Sequence, residues 1–178
     1  MTRTLYQTLL GPAFDTLPEP VRSMHANAHQ AEGRADIVRG TSPLARLICM
    51  VARVPQTGRD VTVITRFEQI DGGERWTRIF DGEALQTDMK VDLSSTPPCL
   101  TEKFGPFVFR LMMIAHQDGI DLIPDSVSLW GFSLPKMFCP EAIGLERVKD
   151  GRYHFDVCVR FPLAGEILSY TGTIEPAA

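Results

Sequence analysis

A chain of 178 residues suffices for one sizeable domain and is short for two, and its 44% hydrophobic and 22% charged content is that of an ordinary globular protein. The formal net charge of −4 argues against nucleic acid, whose binders usually carry a basic stripe. No apolar run reaches the ~18 residues that a membrane-spanning helix needs, and residues 1–10 lack the apolar centre of a signal peptide, so the expected location is the cytoplasm.

The first segment reads as a short helix, with Tyr6, Leu9 and Leu10 on one face and Gly11-Pro12 ending it. Pro18 and Pro20 lie near the start of a second helix through Val21, Met24 and Ala28. A short strand is expected around Ile37 and Val38. The third helix has Ser42 as its cap and Pro43 at its first position, where a proline is tolerated. Leu44, Leu47, Ile48 and Val51 then follow the i, i+3, i+4, i+7 spacing of a buried stripe, with Arg46 and Arg53 off it.

From Asp60 onward the period becomes two. Four Asp-Gly dipeptides (Asp71-Gly72, Asp81-Gly82, Asp118-Gly119 and Asp150-Gly151) separate runs rich in β-branched and aromatic residues. Asp-Gly favours two-residue hairpin turns, so these imply an antiparallel meander. A two-residue loop at Asp71-Gly72 pairs Ile70 with Gly73, Phe67 with Trp76, Thr65 with Arg78 and Val63 with Phe80. A three-residue loop would set Arg66 against Arg78, two like charges, which is unfavourable. At Asp81-Gly82 the same logic sets Arg78 against Leu85 and Trp76 against Thr87, with all three strands agreeing on the inner face.

Ser94 to Pro98 breaks the pattern. Phe107 to Gln117 is apolar on both faces and reads as a strand covered on both sides. Ile120 to Ile123 and Ser126 to Trp130 read as further strands, and Leu134 to Pro140 as irregular or a helical turn. Tyr153, Phe155, Val157, Val159 and Phe161 alternate with polar residues, and a final strand runs from Ile167 to Ile174. The expected fold is α+β, mainly β: one strongly curved antiparallel sheet or open barrel of about eight strands behind two or three short N-terminal helices. It forms a single domain over residues 1–178, helical in 1–56 and a meander in 58–176. Sheets that curve this far commonly enclose a cavity.

Arg78 is the first candidate for chemistry. It falls between Trp76 and Phe80 on the inner face, where an unpaired charge is costly. The functional reading is an anchor for a carboxylated or otherwise anionic ligand; the competing reading is an ion pair with an internal acid such as Glu102. Trp76 against Phe67 is a packing pair or a wall for a flat ligand, and Thr65 lies across from Arg78. The candidate ligand-binding set is therefore Arg78, Trp76, Phe67, Thr65 and Glu102.

His25 and His29 are four apart on a helical segment, a spacing that can hold a metal. No third ligand is evident, so no metal is expected. His154 with Asp156 resembles an acid/base pair but falls on the polar face beside Arg160. Cys49, Cys99, Cys139 and Cys158 form no CxxC and read as free thiols. GxSxG, HExxH, P-loop and GxGxxG motifs are absent, so no catalytic residue and no cofactor is assigned.

The stretches LYQTLLGPAFDTLPEPVRSMH, RGTSPLARLICMVARVP, GGERWTRIFDG, TEKFGPFVFRL, GFSLPKMFCP and DGRYHFDVCVRFPLAGEILSYTG run in this order over almost the whole chain. Together they resemble a bacterial family known as domain of unknown function 4166. The resemblance implies an accessory domain of the kind appended to nucleotide-binding reductase-like domains, without established catalytic residues. This chain lacks a dinucleotide fingerprint, so a reductase-like partner would be a separate protein. Three functions follow as expectations. The first is non-catalytic binding of a small apolar or anionic molecule in the cavity. The second is docking on a reductase-like partner or on a second copy as a homodimer. The third is an enzyme that uses Arg78 with His154 or Glu102.

Overall fold

The computed structural model describes residues 3–177. Its strands in chain order are β1 (Gln30–Arg39), β2 (Gly58–Ile70), β3 (Gly73–Phe80), β4 (Glu83–Asp92), β5 (Cys99–Phe104), β6 (Phe107–His116), β7 (Gly119–Leu129), β8 (Phe132–Ser133), β9 (Glu141–Lys149), β10 (Arg152–Phe161) and β11 (Gly165–Pro176). The helices are α1 (Leu5–Leu10), α2 (Glu19–Asn27) and α3 (Pro43–Val51), with 3-10 turns at Gly11–Thr16 and Lys136–Phe138.

The strands pair in the order β6-β5-β4-β3-β2-β1-β11-β10-β9-β7, and β7 pairs back onto β6. Ten antiparallel strands therefore close a barrel, and β8 hangs on the end of β7 as a two-residue arm. The mainly β class with a few short helices is as expected; the strand number is ten rather than about eight, and the curved sheet or open barrel is fully closed. Two strands escape the period-two pattern. In β9 the inward positions include Ala142, Gly144 and Glu146, small or acidic rather than large and apolar. The six residues of β5 lie between Pro98 and Gly105-Pro106 and place Glu102 on the inner face. Conversely, residues 119–129 form one strand rather than two. Pro124 is accommodated because the β6–β7 ladder shifts register there, leaving Asp125 as the extra residue of a bulge.

The register through β2, β3 and β4 is as expected: Ile70 pairs with Gly73, Phe67 with Trp76, Thr65 with Arg78, Val63 with Phe80, Arg78 with Leu85 and Trp76 with Thr87. At Asp81-Gly82 and Asp150-Gly151 both residues take positive φ, as a type I′ turn requires. At Asp71-Gly72 only the glycine does. The expected Asp118-Gly119 turn lies one residue earlier, because His116 pairs with Gly119. Trp130-Gly131 is a further positive-φ turn, so the strand expected through Trp130 ends one residue before it, at Leu129.

The alternation of strand directions gives the barrel two different ends. At one, α1 packs on β4, β5 and β6 while α2 packs on β9, β10 and β11, so the N-terminal helices plug the barrel. A capping box between Thr4 and Gln7 starts α1, and Val21 and Met24 bury the inner face of α2. At the other end, the rim, lie α3, the tips of the β3–β4, β5–β6, β7–β8 and β10–β11 hairpins, and the segment 134–140.

Ser42 caps α3 by accepting from the Ala45 amide, as expected. The expected buried stripe is corrected, however. Ala45 and Cys49 are buried, while Leu44, Leu47 and Val51 are exposed and Ile48 is half-buried. The helix is apolar nearly all round, so period alone does not choose its inner face. Small side chains do, because they let α3 approach β11 closely: the Cys49 thiol donates to the Ile167 carbonyl at 3.2 Å. The expectation that β6 is covered on both faces is also corrected, since Val108 and Met112 are only half-buried and Ile114 is exposed.

Candidate functional site

The barrel encloses a partly open cavity of about 160 Å³. Its wall alternates with the strands: Thr65 and Phe67 come from β2, Trp76, Arg78 and Phe80 from β3, and Leu85, Thr87 and Met89 from β4. The polar lining groups gather around Arg78, with Thr65 and Leu85 paired across from it, Thr87 bonded to it and Glu102, Tyr153 and Tyr170 acting on its charge. Toward the rim the lining is apolar, with Phe80, Phe104, Phe107, Phe161 and Ile48. All five sequence candidates (Arg78, Trp76, Phe67, Thr65 and Glu102) line this cavity.

Arg78 donates from Nη1 to Thr87 Oγ1 at 3.2 Å, and its guanidinium carbon lies 5.1 Å from the Trp76 ring centre. Trp76 is held in turn by an edge contact from Phe67, with ring centres 4.8 Å apart. Among the described residues no carboxylate forms an ion pair with Arg78, and Glu102 accepts no hydrogen bond. Burial works against the charge of Arg78, but Tyr170 and Glu102, the leading acidic groups around it, outweigh that and hold its pKa above the ordinary guanidinium value. One hydrogen bond and one cation–π contact return about 1–3 kcal/mol. Desolvating an ion costs several kcal/mol. The side chain therefore brings a positive charge with no direct ion-pair partner among the described residues, and a single hydrogen bond, into a mainly apolar cavity.

The floor of the cavity is a second cluster that the sequence reading did not assemble. Glu146 on β9 lines the cavity and is itself buried. Its Oε2 lies 2.6 Å from His25 Nε2 on α2, and its Oε1 accepts from the Tyr6 hydroxyl on α1 at 2.9 Å. The rings of Tyr6, His25 and Trp76 lie nearly parallel, with Tyr6 and His25 centred 3.6 Å apart. Glu74, also buried, accepts from Trp76 Nε1 at 3.2 Å. Burial, reinforced by Glu146, raises the pKa values of Tyr6 and Tyr153 well above the ordinary phenol, so both remain neutral donors. This cluster ties the two plug helices to the barrel wall and fixes the far end of the cavity.

The histidines lie apart, on different elements. α2 ends at Asn27, so His29 is not on the helix with His25; it is exposed, while His25 is consumed by Glu146. His154 lies on the outer face of β10, between the cavity-lining Tyr153 and Phe155, 3.1 Å from Thr171 Oγ1. Partial burial and the nearby Lys149 lower its pKa. Facing away from the cavity, it cannot act as an acid or base on anything bound inside. The free thiols divide too: Cys49 and Cys99 are buried, Cys139 and Cys158 half-buried.

No helix among the described residues is long and apolar enough to cross a membrane. No curated protein and no solved structure matches this chain. A family model described as Domain of unknown function (DUF4166) matches residues 17–174, which takes in α2, α3 and nearly all of the barrel, and the chain belongs to that family.

Proposed function

We propose that the barrel binds a small, mainly apolar molecule bearing one carboxylate, seated with that group toward Arg78 and its apolar body toward the rim. The observation that supports this reading is the Arg78 guanidinium, which enters the cavity with one neutral hydrogen bond and no ion pair among the described residues, Glu102 acting on it only from a distance. A carboxylate accepts two parallel bonds from such a group. Thr65 and Thr87 flank it with hydroxyls, and Glu102 offers an acceptor for a hydroxyl or amine on the ligand. A dry cavity of about 150 Å³ holds a benzene-sized body, which sets the scale of the apolar part.

Titration calorimetry with octanoate and with octan-1-ol tests this. A charge-assisted hydrogen bond contributes about 1.5–3 kcal/mol, so octanoate should bind roughly 10- to 100-fold more tightly than the alcohol. Arg78→Met should erase that preference while leaving affinity for the alcohol nearly unchanged. Equal affinities for both probes in the unsubstituted protein would sink the proposal.

A further inference from the structure

The rim carries most of the large apolar side chains that the barrel leaves exposed. Trp130, Phe132, Met137 and Leu163 are each 71–80% exposed, and they come from three separate turns: β7–β8, the 134–140 segment and β10–β11. Leu47 and Met50 on the outer face of α3 add to the same end. Toward the opposite end, among the described residues, exposed large apolar side chains are fewer and scattered: Leu93, with Ile114 and Ile123 on the outer wall. Solitary exposed apolar residues need no explanation, but several gathered at one end mark an interaction surface.

Charge says what this surface meets. Between Asp36 and Asp60 the chain has four arginines and no acid, although the whole protein carries a net charge of −4. Arg46, Arg53 and Arg59 are exposed, and none of them pairs with a carboxylate among the described residues. Most of the rim's acids have partners: Asp60 pairs with Arg34, Asp81 accepts from the Thr62 backbone amide, Glu83 from the Gln56 backbone amide, and Glu166 accepts from Ser169 and pairs with Arg160, while Glu141 is exposed on the β9 side. An apolar helix face flanked by arginines, beside a tryptophan and a phenylalanine on a turn tip, is the composition of a segment that lies in the headgroup region of an anionic bilayer.

We infer that the rim docks on an anionic phospholipid surface, inserting Trp130, Phe132 and the outer face of α3. The inner face of that helix presents Ile48 to the cavity, so docking brings the cavity's apolar end against the acyl region. The inference rests on the rim alone and holds whether or not Arg78 anchors a ligand.

Flotation with vesicles of phosphatidylcholine, with and without phosphatidylglycerol, reads it directly. Binding is expected to the mixed vesicles, at least about tenfold tighter than to phosphatidylcholine alone, and to weaken with salt. Trp130 emission should shift to the blue on binding and be quenched by lipids labelled near the headgroup. The double variant Leu47→Glu/Met50→Glu changes only exposed positions. It should keep its circular dichroism and melting temperature and lose vesicle binding. Absence of binding to mixed vesicles, or binding indifferent to phosphatidylglycerol or to the double variant, overturns the inference. So does a solution mass of two chains that the double variant converts to one, because the rim would then be covered by a second copy.

Discussion

Glu146 is one carboxylate on which two helices converge. Tyr6 from α1 and His25 from α2 each bind one of its oxygens, so the group sets the depth at which the plug sits. The two partners differ in what their loss leaves behind. Tyr6→Phe removes a single hydrogen bond and keeps the ring stacked on His25, a cost of about 1–3 kcal/mol for leaving a buried acceptor with one partner fewer. His25→Ala removes a hydrogen bond to Glu146, a stacked ring and buried volume, and the cavity and the lost bond together cost about 3–5 kcal/mol. Urea unfolding should therefore rank His25→Ala clearly below Tyr6→Phe, and equal, small losses would show that the cluster does not hold the plug. The two sites also differ in legibility. Arg78 was readable because its inward direction follows from a hairpin register eight residues long or less on either side. His25 and Glu146 are 121 residues apart, and each looks ordinary in its own surroundings. Nothing local marks a pair that exists only once the barrel has closed.

At the scale of elements, periodicity located the strands whose inner faces are large and apolar, and failed where they are not. β9 carries Gly144 and Glu146 inward, and β5 carries Glu102; both strands were invisible to a search for alternating bulk. α3 was placed correctly and turned the wrong way, because a helix apolar on two faces has two answers and only its fit against β11 selects one. Gly119 shows the same dependence on partners. As half of an Asp-Gly dipeptide it suggested a turn, yet it opens β7, and a Cβ there would lie 1.8 Å from the Glu146 carbonyl oxygen. Gly151, by contrast, sits in a turn at φ +74° with nothing within 4 Å of such a Cβ. Gly151→Ala should cost about 1 kcal/mol from backbone strain alone. Gly119→Ala must push β9 away where β7 holds it by only four residue pairs, and should cost more, about 3 kcal/mol. Denaturant midpoints for the two variants test the order; a milder effect at Gly119 would mean that the seam yields freely.

For the molecule as a whole, the cavity makes stability depend on what it holds. A ligand present at about 100 times its dissociation constant adds about 2.7 kcal/mol to the folded state. For a chain of this size that raises the melting temperature by roughly 5–10 °C. Octanoate should produce that rise in scanning calorimetry, and Arg78→Met should show little of it at the same concentration. An equal rise in both proteins would assign the effect to the apolar wall rather than to the charge. The fold class was legible from the turns, but ring closure was not. Closure depends on β7 meeting β9 across β8 and on β1 meeting β11, neither of them a consecutive hairpin, and the second joins the first and last strands.

That last pairing has a consequence for synthesis. A ribosome delivers β1 first and β11 last, so β1 can pair with β2 early while its other edge waits, unpartnered, through the production of every remaining strand. The nascent chain carries an open β-edge from the emergence of β1 until β11 follows it, with Ala31, Ala35 and Ile37 uncovered beside it. The stage most exposed to mispairing is thus the interval before the final strand emerges, and a helper protein that shields extended edges would act there.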